Sequence, residues 1–316
     1  MTTPSARARS TFVISLTPFD DEGNLDEDRL RAHFQRFREA GIGVYAAGSG
    51  SGEAYSLSPP ELRHVLDVAV QELHGAVPVR AMGFEPRSAQ QMIGFARLAS
   101  EAGVDAVQVY SLDIGHAAHP TESEMHRYYH DVLSNIELPV VLSTHYSVGY
   151  LLPITLIKRL TGEFDNIIRV NVTSSDIGYL IDLLDVLDER VDVHVGGPVF
   201  ALSALAVGAT GYLSSEANIA PKLCQSLIDH YVAGNYGQVF EAYNRIIRLF
   251  NVNMRHNAVP SGRAQLEMLG RGVGPPRLPR LPITQKAALD ELAGALQTLA
   301  IRDSELGGQQ PVNSGR

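Results

Sequence analysis

Eight short apolar runs, each followed by a segment with helical periodicity, limit the folds open to this chain more than any other feature. They are bounded by turn residues and have the length of buried β-strands. They lie at residues 11–16, 44–47, 77–82, 106–110, 140–143, 167–172, 191–195 and 211–214. Eight successive β-then-α units favour a closed parallel (β/α)8 TIM barrel over an open doubly wound sheet, which strand counting alone does not exclude.

The helix starts are marked as well. The sequences SPPE at 58–61 and TESE at 121–124 fit the capping box, in which side chains satisfy the free amides of the first helical turn. Past residue 220 the strand pattern stops, and an amphipathic pattern continues to about residue 301, with a proline-rich linker at 270–282. One face of this helical part carries Phe240, Tyr243, Ile247 and Phe250.

These patterns predict four segments along the 316 residues. The barrel is predicted at 11–220 and a C-terminal helical region at 221–302. The polar ends, 1–10 and 303–316, are predicted to be loose tails.

Charge and cysteine content narrow the possible partners. The net charge of −9 argues against a nucleic-acid partner. No uncharged apolar run approaches the length of a membrane span, and the N-terminus does not resemble a signal peptide. The single cysteine, Cys224, excludes an internal disulfide framework and a cysteine-built zinc site, and it is predicted to be a core residue. We therefore expect a soluble, cytoplasmic protein.

Candidate site residues lie where the predicted strands end, because TIM barrels hold their active sites there. The loop AAGSGSGEAYSLS follows strand two, and Ser49, Gly50 and Ser51 in it offer hydroxyl groups and approachable backbone amides to a carboxylate or phosphate. A flexible turn explains the same residues equally well. His145 and Tyr146 follow strand five.

Histidines near the strand ends suggest two kinds of chemistry. His116, His119 and His145 could bind zinc, or a single histidine could act as a general base. Their spacing is not diagnostic of a metal site, and loop histidines are more often solvated or hydrogen-bonded, so no metal is predicted. His194, inside the seventh run, is predicted to be a satisfied interior histidine.

Seven sequence pieces, in order, resemble the dihydrodipicolinate synthase and N-acetylneuraminate lyase family between about residues 11 and 300. They are SLTPFDDEGNLDEDRL, GSGSGEAYSLSPPE, AGVDAVQVY, LPVVLS, NIIRVNVTSSD, LAVGATGYLSSEANIAPKL and RAQLEMLG followed by the linker. The resemblance implies a (β/α)8 barrel with C-terminal helices and a homotetramer built as a dimer of dimers. It implies no cofactor, and a small carboxylic acid as the ligand.

The resemblance also implies a mechanism, and this chain departs from it. Family enzymes generally hold a 2-oxo acid as a Schiff base on a strand-six lysine, with a proton-relaying tyrosine at the end of strand five. The lysine position is Asn171 and the tyrosine position is Ser143. The arginine expected just beyond falls on Val148.

Other family positions are also changed. The glycine-aspartate signature after strand seven reads Gly196-Gly197-Pro198, and the tyrosine contributed to a partner subunit falls near Asp113. The strand-two loop is kept, with Ser51 and the adjacent Gly50 or Ser49 at the carboxylate-binding positions.

Asn171 cannot form an imine, because an amide nitrogen is delocalised into its carbonyl. The three lysines, Lys158, Lys222 and Lys286, fall in predicted helices or helix starts away from the strand ends. Asn171 is instead predicted to polarise a carbonyl or hold an enolate oxygen. The alternative is that it fills the vacated space and bonds to neighbours such as Thr173.

Two functions follow from these residues. The first is a lysine-free lyase, hydratase or isomerase acting on a small 2-oxo or hydroxy acid, in which His145 or Tyr146 moves the proton. The second is a non-catalytic paralogue that binds a metabolite or stabilises mixed oligomers, since several catalytic groups are lost together. A third and minor hypothesis is a metal-dependent aldolase or hydrolase built on the three histidines.

Overall fold

The computed structural model of the protein describes residues 8–116 and 118–307. Within them, eight parallel strands close into a barrel in which each strand pairs with the next and β8 pairs with β1. The strands are β1 (Ser10–Ile14), β2 (Gly43–Gly48), β3 (Val79–Gly83), β4 (Ala106–Val109), β5 (Val140–His145), β6 (Ile167–Thr173), β7 (Asp192–Gly196) and β8 (Gly211–Ser214). The predicted TIM barrel is confirmed, with strand ends shifted by two residues or fewer.

Helices alternate with the strands on the outside of the barrel. They are α1 (Glu27–Ala40), α2 (Pro59–Leu73), α3 (Ala89–Ala102), α4 (Glu122–Leu133), α5 (Ile154–Glu163), α6 (Ile177–Val186), α7 (Ala201–Val207) and α8 (Pro221–Val232). Both predicted capping boxes are present, at the starts of α2 and α4. They satisfy amides of the first helical turn that have no partner within the helix.

Two hydrophobic clusters reflect the alternation of side chains along each strand. The larger one fills the space between the strands and the surrounding helices, and it includes Cys224 as predicted. The smaller one lies inside the barrel and consists of Phe12, Tyr45, Met82, Tyr110 and Leu213, with Ile14 packed against it. The inward-facing residues therefore form a packed floor beneath the ends of the strands.

Polar residues share this interior. His194 is fully buried and lies 3.2 Å from the Ser10 hydroxyl, so it is the satisfied interior histidine that the sequence predicts. Burial lowers the pKa of His194 well below its usual value, and the nearby guanidinium groups of Arg169 and Arg80 act in the same direction. The histidine is therefore neutral in the folded protein at neutral pH.

Four more helices form the C-terminal region, α9 (Tyr236–Arg255), α10 (Ala258–Met268), α11 (Lys286–Thr298) and α12 (Ile301–Leu306). Helix α10 is joined to the strand-two loop by a buried ion pair, in which Arg263 Nη2 lies 2.6 Å from Glu53 Oε1. The same guanidinium donates to the Thr17 carbonyl oxygen. This region is therefore fixed against the barrel by charged groups as well as by apolar packing.

The structure differs from the sequence-based description of this region in two places. Helix α9 buries Val239, Ala242, Ile246 and Leu249, whereas Phe240, on the aromatic face that the sequence indicates, is 58% exposed. Helix α12 runs to Leu306, past the predicted boundary at residue 302. Its Glu305 is buried and accepts a hydrogen bond from the backbone amide of Leu223, which explains the added order. Residues 1–7 and 308–316 of the predicted tails lie outside the described part.

Candidate active site

A cavity of about 690 Å³ opens at the carboxyl ends of the strands, where the active sites of TIM barrels lie. Almost every site residue predicted from the sequence lines it: Ser49, Gly50, Ser51, Ser143, His145, Asn171, Thr173 and Gly197. Tyr146 does not, because it belongs to a short helical turn after β5 and is 57% exposed. Of the two residues predicted to transfer the proton, His145 therefore lines the same cavity as Asn171 and Tyr146 does not.

Asn171 lies at the bottom of the cavity and is held by two other side chains. Its Nδ2 donates to Tyr45 Oη at 2.9 Å and to Gln108 Oε1 at 2.7 Å. These bonds use both amide hydrogens. Its Oδ1 is buried and has no hydrogen-bond partner within the described residues. The free polar atom of Asn171 is therefore an acceptor, and its amide group bonds to Tyr45 and Gln108 rather than to Thr173.

A buried guanidinium supports this arrangement from below. Arg80 Nη1 donates to Tyr45 Oη at 3.1 Å, and its guanidinium carbon lies 4.4 Å from the centre of the Phe12 ring. Arg169, on β6, is paired with Asp192 at 2.9 Å. Since Arg80 has no such carboxylate partner within the described chain, it contributes positive potential beneath Tyr45 and Asn171.

His145 and Glu85 form a pair on another part of the cavity wall. His145 ends β5, and Glu85 lies two residues after the end of β3. The distance from His145 Nε2 to Glu85 Oε1 is 3.7 Å, and the histidine side chain is 7% exposed. Burial lowers the pKa of His145, and the carboxylate of Glu85 partly opposes that effect. The imidazole is therefore held largely neutral beside a carboxylate.

The hydrogen bond made by Nδ1 of His145 shows which ring nitrogen carries the proton of the neutral imidazole. His145 Nδ1 accepts a hydrogen bond from the backbone amide of Ser147 at 3.2 Å. An accepting Nδ1 carries no hydrogen, so the neutral ring carries its proton on Nε2. Nε2 is buried and makes no hydrogen bond to any described residue. It is therefore a donor without an acceptor, next to a carboxylate that can receive a proton.

The remaining predicted residues complete the wall. Ser143 is buried, and its carbonyl oxygen accepts from the Ser111 hydroxyl at 3.2 Å. Thr173 approaches Gly196 so closely that a Cβ at that glycine would collide with the threonine hydroxyl. Gly197 has a φ of +83°, a conformation that glycine adopts without strain.

The loop histidines do not join His145. His119 lies against Tyr150, with 5.6 Å between the ring centres, while His116 is in a loop with a φ of +53°. Across residues 8–116 and 118–307, no group of three or more histidine, cysteine, aspartate or glutamate side chains is arranged to hold a metal ion. The metal-dependent hypothesis therefore has no ligand set within these residues.

No lysine lies in the cavity. Lys158 lies in α5, Lys222 in α8 and Lys286 in α11, and none of them lines the cavity. Because the sequence contains only these three lysines, the cavity described here holds no amine that could form an imine with a substrate.

Several cavity residues were missed in the sequence analysis. Glu85 lies three residues after a predicted strand, at the end of the barrel where the site is expected, so its position was a usable signal. Tyr45 and Gln108 are polar residues within apolar strand runs, as Asn171 is, and the same reasoning applied to them would have found the cavity floor. Arg280 also lines the cavity, but it lies in the proline-rich linker, where no local pattern indicates a site residue.

None of the helices in the described part of the chain is both long enough and apolar enough to cross a bilayer.

Comparisons with known proteins agree with this geometry. Residues 7–299 match the model of the dihydrodipicolinate synthetase family. The chain is 29% identical over 304 residues to 4-hydroxy-tetrahydrodipicolinate synthase of Methanothrix thermoacetophila, covering 95% of this chain and 98% of the relative. It is 26% identical to the Bacillus subtilis enzyme of the same name over 276 residues, covering 87% and 93%.

A solved structure of a related protein has the same fold. The crystal structure of a putative dihydrodipicolinate synthetase from Pseudomonas aeruginosa superimposes with a TM-score of 0.85 at 26% identity, covering 92% of this chain and 99% of that one. These matches support a lyase-type enzyme of small carboxylic acids as the general class. The chain belongs to the dihydrodipicolinate synthetase family.

Proposed function

We propose that the protein is a lysine-free lyase or hydratase that acts on a small 2-oxo or hydroxy carboxylic acid through an enolate. The observation that carries this proposal is the pair formed by the buried His145 and the partly exposed Glu85, 3.7 Å apart on the wall of the cavity that also contains Asn171. A carboxylate acceptor beside a fixed N–H donor is the arrangement that enolate formation requires.

In the proposed step, Glu85 removes a proton from the carbon next to the substrate carbonyl. The electron pair moves onto the carbonyl oxygen, and His145 Nε2–H donates a hydrogen bond to that oxygen. A neutral imidazole serves this role well, and the lowered pKa of His145 favours the neutral form. The enolate then expels hydroxide from the next carbon, which leaves as water with the proton held by Glu85. Alternatively, its carbon attacks a second carbonyl, and the alkoxide that forms takes the proton from Glu85.

Asn171 has a different role from the oxyanion donor expected from the sequence. Both of its N–H groups are used by Tyr45 and Gln108, so Oδ1 is the atom left to meet the substrate. An amide oxygen accepts from a hydroxyl group. We assign Asn171 to a substrate hydroxyl and the loop of Ser49, Gly50 and Ser51 to the substrate carboxylate.

The second candidate is a non-catalytic paralogue that binds a metabolite or stabilises mixed oligomers. The substitutions at Asn171, Ser143 and Val148 favour it, since together they remove the lysine, tyrosine and arginine that the family resemblance leads one to expect.

Proton exchange separates the two candidates without knowledge of the natural substrate. Pyruvate is incubated with the protein in D2O, and deuterium entering its methyl group is followed by NMR. Exchange is expected with the wild type, and Glu85→Gln should slow it about 100-fold or more. Glu101→Gln is the matched control, because that exposed carboxylate pairs with Arg63 outside the cavity, and it should leave the rate unchanged.

The outcomes distinguish mechanism as well as activity. Borohydride added with pyruvate should give no mass increment on the intact protein, and an increment on any lysine would overturn the lysine-free mechanism. Exchange that is unaffected by Glu85→Gln, His145→Ala and Asn171→Ala would show that the site residues are misassigned. Absence of exchange and of turnover across a panel of 2-oxo and hydroxy acids would favour the non-catalytic candidate.

The oligomeric state and the location of the protein in the cell remain predictions. The homotetramer follows from the family resemblance, and native mass spectrometry tests it. The cytoplasmic location is tested by fractionation of cells that contain the protein.

A further inference from the structure

The cavity contains one basic side chain whose role the family resemblance does not supply. Among the described residues that line it, Arg280 is the only arginine or lysine and Glu85 is the only carboxylate. The arginine position implied by the resemblance is Val148, which is 7% exposed and carries no charge. A guanidinium is therefore present at the barrel mouth, but it comes from the C-terminal linker rather than from the segment after β5.

The position of Arg280 relates it to the strand-two loop. A second cavity of about 300 Å³ lies beside the first, and both are lined by Gly50, Ser51, Ser215 and Arg280. A Cβ built on Gly50 would meet no atom within 4 Å, so the loop faces open space there. Arg280 and the loop therefore border the same part of the cavity.

The guanidinium of Arg280 is not neutralised by the acids around it. No described carboxylate lies within ion-pair distance of Arg280, whose guanidinium carbon lies 5.8 Å from the centre of the Tyr55 ring. Glu53 is paired with Arg263 at 2.6 Å. Glu216, which lines the second cavity, accepts from the Ser214 hydroxyl at 2.9 Å, and burial raises its pKa. The positive charge of Arg280 is thus available to a ligand.

The segment that carries Arg280 is held in place by its neighbour Arg277. The guanidinium of Arg277 lies 2.7 Å from Glu61 Oε1 and donates to the Ser56 carbonyl oxygen at 2.8 Å. The backbone amide of Arg280 donates to the Arg277 carbonyl oxygen at 3.2 Å. This anchoring reduces the ordering that a ligand would otherwise have to impose on Arg280.

We propose that Arg280 binds the carboxylate of the substrate together with Ser51 and the backbone of the strand-two loop, which refines the proposed function by fixing how the acid is oriented. The carboxylate lies at the loop, and the reacting carbon points toward Glu85 and His145. A guanidinium suits this role because it presents a planar pair of donors to a carboxylate.

Binding of a charged and a neutral probe tests the assignment without requiring turnover. Pyruvate and pyruvamide are titrated by ligand-observed NMR into the wild type, Arg280→Gln, Arg280→Lys and the surface control Arg159→Gln. Pyruvate binding should weaken about tenfold or more in Arg280→Gln, less in Arg280→Lys, and not at all in the control. Pyruvamide should bind the wild type weakly and be insensitive to Arg280→Gln.

Arginine labelling provides a measurement that needs no variant. Phenylglyoxal reacts with accessible guanidinium groups, and peptide mass spectrometry should show that pyruvate protects Arg280 but not Arg159. Wild-type protein that binds no pyruvate, equal pyruvate affinity in Arg280→Gln, or no protection at Arg280 would overturn the proposal. If pyruvate binding depends on Arg280 but pyruvate exchanges no protons, only the proposed enzymatic function is wrong. If proton exchange occurs and its KM for pyruvate is unchanged in Arg280→Gln, only the assignment of Arg280 is wrong.

Discussion

Nε2 of His145 lies 3.7 Å from Oε1 of Glu85, and both side chains line the cavity at the mouth of the barrel. Burial is the larger influence on the imidazole and lowers its pKa, while the carboxylate raises it. The charge of Glu85 therefore limits how far the pKa of His145 falls.

Replacing that carboxylate should move the titration of His145. In Glu85→Gln the imidazolium loses its neighbouring negative charge, so the pKa of His145 is expected to fall below its wild-type value. Titration of the histidine ring signals by NMR measures this directly, with His145→Ala used to assign the signal. An unchanged or raised pKa in Glu85→Gln would show that the two groups do not interact.

The floor of the cavity depends on the Tyr45 hydroxyl, which accepts hydrogen bonds from Arg80 and Asn171. Tyr45→Phe leaves both donors without that acceptor in a buried place. We expect the free energy of unfolding to fall by about 1–3 kcal/mol, measured by urea denaturation. Tyr179→Phe is the control, because its hydroxyl donates to the Leu152 carbonyl oxygen and accepts from no buried guanidinium among the described residues, so its loss should cost less. Equal losses in the two variants would contradict the role given to Tyr45.

The ion pair between Glu53 and Arg263 gives the largest expected effect on stability. Both side chains are almost fully buried, so Glu53→Ala leaves an uncompensated guanidinium in the interior. Removing one partner of a buried pair typically costs about 3–5 kcal/mol. Asp131→Ala, which removes the partner of the exposed Arg127, should change stability little. Comparable denaturation midpoints for the two variants would refute the prediction.

Acid should destabilise the protein through His194. Its pKa is lowered well below the usual value in the folded state, so below about pH 6.5 the unfolded chain binds more protons at this residue than the folded one. The contribution of the neutral His194 imidazole to the free energy of unfolding is therefore fully present above about pH 6.5. It is lost as the pH falls toward the pKa of His194 in the folded protein.

Unfolding measured across this pH range tests the point. His194→Gln should show a shallower loss of stability with falling pH than the wild type, whereas His74→Gln, on an exposed histidine, should follow the wild type. Identical pH dependence in all three proteins would remove His194 as the cause.

The sequence predicted the barrel because strand and helix periodicities are local properties that repeat eight times along the chain. It also predicted that Asn171 stands where an amine is expected, since that position is defined by a strand with a recognisable sequence. Which atom of Asn171 remains free was not predictable, because it depends on Tyr45 and Gln108 from two other strands. Which face of α9 is buried was not predictable either, because only packing against the other helices decides which face is covered.

The attachment of α10 and its following linker to the strand-two loop has a consequence for protein engineering. The eight-stranded barrel is not structurally self-sufficient in this protein, because Glu53 and the loop that carries it depend on Arg263 from outside the barrel. A shortened chain ending at α8 would lose Phe250 and Arg280 from the lining of the cavity. Residues 258–283 are therefore the natural place to alter substrate preference while the strands are left unchanged.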